Sequence, residues 1–425
     1  SEIRELLFAG KHKEAENLIY KTFVCGGKGS GQGNGAKTPY GSYEVGGFLH
    51  LDWSHYIPCS SYKRSLDLNH GESKEIIEVA GKPFRMKTLY SSYVSDVNVI
   101  NIYNQTPAAR QDTLRLSMSR PENGYSSVRD GFITLSGSLP NGRGGQGLSY
   151  AIVAKPLLLH GGKVIVRGNE LLIVDAPVIQ ILIAHNTNYY NPQLSLVEEG
   201  IDQIMTAAGT SPAALECDHR QAFAESMTRV EMRIGNSNTV LEGLPIDKRL
   251  AAYHKNPAAD PNLATLYMQF GRYLLLSSTR PGALPPNLQG LWTNLVQAPW
   301  NSDYHLNINL QMNHWPSEKG NLSESVQPLT SWVEGLGPSG HQTAQTFYKG
   351  KGWVTHILGN VWGFTAPGEH PSWGATNTGA AWLCQHLYNH YLYTQDRAYL
   401  ERVYPIIKGA AQFFQSTLVK DPNNG

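Results

Sequence analysis

The chain has 425 residues, 41% of them hydrophobic and 16% charged, with a formal net charge of +1. That length suits two or three domains with sizeable cores. The near-neutral balance excludes a strong field for nucleic acid or an anionic membrane surface. No apolar run approaches the roughly 20 residues of a membrane span. The four cysteines, Cys25, Cys59, Cys217 and Cys384, are widely spaced and form no CxxC pair. A zinc site is therefore not expected, and free, mostly buried thiols are. No signal peptide is visible, and the first residue is Ser1 rather than Met, so the chain is expected to begin inside a domain.

In chain order, the apolar residues Ile3, Leu6, Leu7, Ala15, Leu18 and Ile19 fall near a 3.6 period, interrupted at Gly10. A short, broken amphipathic helix follows from that spacing. The run GGKGSGQGNG at 26–35 lacks the ending of a phosphate-binding loop and reads as a surface loop. From about Tyr43 to Tyr190 the pattern is β. Residues 48–53, 76–79, 84–87, 98–103, 131–135, 149–154, 163–167, 170–174 and 179–184 read as short strands. The segments 76–79 and 84–87 form a hairpin through AGKP, and RGNE at 167–170 is a tight turn. Many short strands at regular spacing predict a large sandwich.

Helical signals begin near Ser195, with SLVEEGIDQIMTAAG and LECDHRQAFAESMTRVEM as parts of a linker. Asp260-Pro261 reads as a cap with Pro in the first turn. The helix after it presents Leu263, Leu266, Tyr267, Phe270, Tyr273 and Leu274 as an apolar stripe, with Gly271 marking close packing. Further helices are expected at 326–335, 341–348, 378–393 and 397–418.

The stretch 280–324 holds three of the nine Trp and many amides. It starts Pro-rich, as a loop. Apolar and amide residues then alternate through Leu306, Asn307, Ile308, Asn309, Leu310 and Gln311. A strand and a loop entering a helix are both compatible with that run. Rings that stack on a pyranose face, beside amides that match hydroxyls as donor and acceptor, are the equipment of a sugar site.

The run WNSDYHLNINLQMNHWPSE at 300–318 closely resembles the signature of glycoside hydrolase family 95, the α-L-fucosidases that cleave α-1,2-linked fucose by inversion. Supporting matches are EIRELLFAGKHKEAE (2–16), RPGALPPNLQGLW (280–292) and GAAWLCQHLYNHYLYTQD (379–396). The resemblance implies an N-terminal antiparallel β-super-sandwich, a helical linker and an (α/α)6 barrel. Here that gives a multi-domain β + α chain: a sandwich over 1–190, a linker over 191–259 and the start of a barrel over 260–425. Twelve barrel helices need roughly 300 residues or more. The barrel is therefore expected not to close within this sequence, and the remainder of the polypeptide is an implied partner.

The resemblance also assigns roles. Asn307 and Asn309 would stand at the attacking water, polarised by an Asp from later in the barrel. His305 would touch the C5 substituent of the sugar, where His goes with fucose and a smaller Thr with L-galactose. The general acid of the family lies in a serine-proline-glutamate-asparagine context after a turn like DPNNG at 421–425, and that context is not present. No catalytic carboxylate is assigned. Trp300 and Trp373 are candidate stacking platforms or core rings. His356 and Glu369 lie in a polar aromatic loop, 353–379, as candidate sugar contacts. His386 and His390 are four apart on one helix, but Leu387 stands where a zinc-protease motif needs Glu, so a core or surface role is expected. Asp260, Glu318 and Glu324 have no partner spacing for a catalytic acid.

No cofactor or metal is implied, and the expected partner is a fucosylated glycan. An exported bacterial enzyme, periplasmic or secreted, is an expectation from the family alone. Rival readings are an α-L-galactosidase of the same fold, a non-catalytic carbohydrate-binding fragment and a disaccharide phosphorylase.

Overall fold

The computed structural model describes residues 2–25, 43–55, 57–141 and 144–422. The expected loop at 26–35 lies outside the described residues. The chain packs into two compact units, Gly46–Thr265 and Ser1–Val45 with Leu266–Gly425. By packing, residues 191–259 belong with the sheets, and the first 45 residues belong with the later helices.

The sheet unit carries strands numbered here in chain order. One sheet runs β1 (Phe48–Trp53), β6 (Leu114–Ser119), β11 (Glu170–Val174), β10 (Lys163–Arg167). The other runs β2 (Ser61–Asp67), β3 (Glu72–Val79), β4 (Lys82–Ser91), β5 (Asn98–Asn104), β12 (Val178–Thr187), β9 (Gln146–Leu159), β8 (Phe132–Pro140), β7 (Tyr125–Arg129). All pairings in both are antiparallel.

The side-chain period of two decides the packing. In β5, Ile100 and Ile102 meet Leu114 and Leu116 of β6 and Leu171 and Ile173 of β11, all buried between the sheets. Val99 faces the other way, into a second core with Tyr90, Leu182 and the helix residues Ile204 and Ala207. Both faces of the large sheet are covered, which is why its central strands read as nearly continuous apolar runs. Full burial of each such side chain stabilises the fold by roughly 1.5–3 kcal/mol. The covering helix, Leu196–Ala208, and the next, Pro212–Met227, are the two expected after Ser195.

Three strands of the two sheets were not expected: β6, which alternates buried Leu114, Leu116 and Met118 inside the small sheet, and the two edge strands β2 and β7. β2 is polar and mostly exposed, β7 is a short, Ser-rich strand, and they form the two edges of the large sheet. The hairpin at 76–87 turns more tightly than AGKP. Ala80 and Gly81 alone take positive φ (49° and 71°), and Lys82 and Pro83 already pair in β4. Pro83, which has no N–H to give, sits at the register shift beside Glu78.

In the helical unit, helices Glu2–Phe8 and His12–Thr22 are separated at Gly10, whose φ is 71°. Later helices are Asn309–His314, Val326–Gly335, Gly337–Thr343, Gly379–Thr394 and Arg397–Thr417. The helix expected at 341–348 starts earlier and ends in a single π turn, Ala344–Tyr348. Their core gathers Leu306, Leu310, Leu329, Trp332, Val333, Leu383, Leu387 and Val403.

Two expectations fail. On the helix Asn262–Ser278, Tyr267 is 79% exposed, and a Cβ at Gly271 would meet no atom within 4 Å. The buried side is instead that of Arg272, Leu275 and Leu276, because the Arg272 guanidinium donates inward to the Gly320 carbonyl (2.8 Å). Cys59, Cys217 and Cys384 are free thiols, but of the four cysteines only Cys384 is buried; Cys59 and Cys217 are exposed.

Candidate functional site

The site grows from the run after Pro299. Trp300, Asn301 and Ser302 all sit in the left-handed region, with φ of 48°, 57° and 49°. Three consecutive non-glycine residues there need outside support. Gln297 Nε2 donates to Asn301 Oδ1 (2.8 Å), the Ser302 hydroxyl donates to Gln289 Oε1, and the Tyr43 N–H donates to the Asn301 carbonyl (3.0 Å). The turn leaves the Trp300 ring 59% exposed.

The chain then forms a two-residue strand, Tyr304–His305, paired with Leu358–Gly359. Leu306 continues it, donating its N–H to the Ile357 carbonyl (2.7 Å), and helix Asn309–His314 begins three residues on. Both readings of the alternation are thus realised in turn. Leu306 and Leu310 go into the core, while Asn307 and Asn309 are exposed on the opposite side.

That side is the wall of a cleft of about 370 Å³, lined by Leu288, Trp300, His305, Asn307, Asn309, Ile357, Leu358 and Trp373. Five sequence-picked residues therefore meet in one place. Trp373 comes from the short helix Pro371–Gly374, and its ring rests on Gly368, where a Cβ would lie 2.3 Å from Trp373 Cζ3.

Two picked residues are not among the lining. His356 is fully buried. Its Nδ1 donates to the Thr365 carbonyl (2.8 Å), so its Nε2 accepts from the Tyr348 hydroxyl (2.7 Å). Burial lowers its pKa to about 4, and both nitrogens are committed to the fold. Glu369 is half-buried on the loop that leads to Trp373, outside the cleft lining.

The other residues weighed have structural partners. His386 bonds the carbonyls of Trp382 (3.3 Å) and Gln311 (3.1 Å). His390 Nδ1 meets Glu318 Oε1 at 2.6 Å. Asp260 takes a bidentate pair from Arg249 (2.7 and 2.9 Å) and accepts the Leu263 N–H, which caps the helix as expected. Among the described residues, no three His, Cys, Asp or Glu side chains converge as metal ligands would.

One carboxylate beside the cleft was not picked from the sequence. Asp303 is 3% exposed, and its Oδ1 lies 3.2 Å from His305 Nε2. The approach is close but off-line, so Oδ1 counts among the buried polar atoms with no well-formed hydrogen bond. Burial pushes the Asp303 carboxyl up to about 8 and lowers His305. At neutral pH an uncharged acid thus lies beside an uncharged imidazole. The available signal was the spacing: two apart in an extended strand, Asp303 and His305 point the same way.

The cleft offers amides that both donate and accept, two indole rings, an imidazole and an apolar wall. Residues 211–425, half of the chain, match the family described as the glycosyl hydrolase family 95 catalytic domain. The chain belongs to glycosyl hydrolase family 95. Residues 1–192 match the N-terminal domain of glycosyl hydrolase family 65.

Among curated relatives, Alpha-L-fucosidase 2 of Arabidopsis thaliana is 29% identical over 99% of this chain and 52% of that protein. "Probable alpha-fucosidase A" of Aspergillus niger is 31% identical over 90% of this chain and 49% of that protein. The chain spans about half the length of the curated relatives it matches. A solved structure described as a kojibiose phosphorylase from the human microbiome superposes with a TM-score of 0.58 at 11% identity. It covers 84% of this chain and 45% of that one, and it shows the fold alone.

Proposed function

We propose that this family 95 chain carries the sugar-recognising part of an exo-acting glycoside hydrolase that releases terminal α-1,2-linked L-fucose with inversion. The observation that carries the reading is the convergence of Asn307, Asn309 and His305 on one cleft with Trp300 and Trp373. The names of the curated relatives support fucose as the sugar.

Chemistry follows from the lining. Trp300 and Trp373 supply ring faces for the apolar side of the pyranose. Asn307 and Asn309 hold hydroxyls or a water; an amide is not basic, so they orient and relay but do not abstract a proton unaided. Inversion needs an acid and a base about 6.5–9.5 Å apart on opposite faces. The described cleft lining contains no carboxylate, so both groups are proposed to come from residues beyond this sequence. The same observation favours a second reading for the 425-residue chain by itself, a carbohydrate-binding fragment.

Fucose release from 2′-fucosyllactose separates the two readings. Hydrolysis by the 425-residue chain would overturn the claim that its acid lies elsewhere. Binding of L-fucose without release supports it. L-galactose should bind more weakly by about 1–3 kcal/mol, the scale of one methyl-versus-hydroxymethyl contact. Equal or tighter L-galactose binding would contradict the fucose assignment to His305.

A further inference from the structure

Asp303 has no task in the proposal above, yet its carboxyl lies against the cleft-lining side chain of His305. Its backbone is pinned: the Asp303 carbonyl accepts the Leu288 N–H (3.2 Å), and the next two residues pair with Leu358–Gly359. Its buried Oδ1 lies 3.2 Å from His305 Nε2, too far off-line for a well-formed hydrogen bond in this geometry, and has no hydrogen-bond partner among the described residues. The other nitrogen of that ring, Nδ1, has no partner among the described residues, and His305 lines the cleft.

We propose that Asp303 is a positioning residue that fixes the tautomer of His305 through Nε2, and so decides whether Nδ1 meets a sugar hydroxyl as donor or as acceptor. The sugar itself rests on the reading of the cleft given above; the control of the tautomer does not.

The proton count makes the case. A neutral carboxyl donates its O–H to Nε2, and the imidazole must then carry its hydrogen on Nδ1. Moving the shared proton onto the ring gives carboxylate and imidazolium, and Nδ1 still carries a hydrogen. Both forms hold the same number of protons, and both present a donor. Loss of one proton leaves a carboxylate that can only accept. Nε2 must then keep the hydrogen, and Nδ1 becomes a lone pair.

Burial alone raises the Asp303 carboxyl to about 8, which puts the donor arrangement at neutral pH. Among the described residues, the neighbouring Tyr304 bonds its hydroxyl to that of Tyr43 at 2.7 Å, and His356, one residue before Ile357 of the cleft, has both nitrogens engaged.

The test is the ring nitrogen spectrum of His305 in the 425-residue chain, labelled with 15N-histidine and assigned by the signals missing in His305→Gln. The scan runs from about pH 6 to about pH 9.5. The native chain should show hydrogen on Nδ1 at neutral pH and a change to Nε2 with a midpoint near the Asp303 value of about 8. Asp303→Asn, near-isosteric but unable to ionise, should show no change over the range.

A native His305 that keeps one tautomer throughout, or the same change in Asp303→Asn, would overturn the proposal. L-fucose titrated into both proteins at each end of the range separates the two levels. A tautomer change without sugar binding supports the role of Asp303 and removes the sugar reading. Sugar binding with no tautomer change removes the role of Asp303 and leaves the sugar reading in place.

Discussion

His356 shows how a side chain can look like a ligand contact and be structural. It sits in a polar aromatic loop, as sugar contacts do, but its ring stacks on Tyr348 at an interplanar angle of 14° and both nitrogens are spent. No sequence pattern announces that a ring is already satisfied. Asn307 and Asn309 were legible through the family signature at 300–318, which assigns their roles, and their alternation with apolar residues is consistent with one exposed side. Asp303 was not, since what distinguishes it is desolvation by residues distant in the chain. His356→Leu removes one of the two donors to the Thr365 carbonyl, which keeps the N–H of residue 356 (3.3 Å), and the ring acceptor of the Tyr348 hydroxyl, at about 1–3 kcal/mol in all. Urea unfolding should show a loss in that range; an unchanged midpoint would mean the two groups re-pair.

At the level of elements, local signals were read well and packing was not. The break at Gly10, the RGNE turn and the Asp260 cap each depend on backbone chemistry within a few residues, and all are present. The close approach at Gly352 was not foreseen: a Cβ there would lie 1.9 Å from the Gly409 carbonyl, a neighbour far away in sequence. Gly271 is the converse, a helical glycine with open space where tight packing was expected. Gly271→Ala should therefore stabilise the protein by roughly 0.5–1 kcal/mol, the ordinary gain in a helix interior. A lower melting temperature would show that something covers that face.

For the whole molecule, the order of sheets before helices was visible in the period of the apolar residues. The grouping of the first 45 residues with the helices was not, because it depends on long-range contact. The pH dependence of stability is a property at the same scale. Burial lowers His219, His314 and His356 to about 4 each. Unfolded histidines take up protons below about 6.5 while these three stay neutral, so stability falls as pH drops from about 6.5 to about 4. Asp112, held low by hydrogen bonds from Ser54 and Arg85 against the pull of burial, and Asp260, held low by Arg249, add a further loss below the usual carboxylate range. Asp303 acts in the opposite sense. It is ionised in the unfolded chain above about 3.8 but in the folded one only near 8, so its burial weakens the fold as pH rises between those values. Melting temperature against pH should fall on the acid side of about 6.5. A flat acid limb would mean that these histidines are accessible.

Calorimetric titration of L-fucose into the 425-residue chain, repeated with Asn307→Ala and with Asn309→Ala, tests the assignment of the cleft most directly. The account predicts saturable binding by the native chain, weakened by about tenfold in each variant as hydrogen bonds to the sugar are lost. Binding of equal strength in all three proteins, or no binding by the native chain, would contradict it.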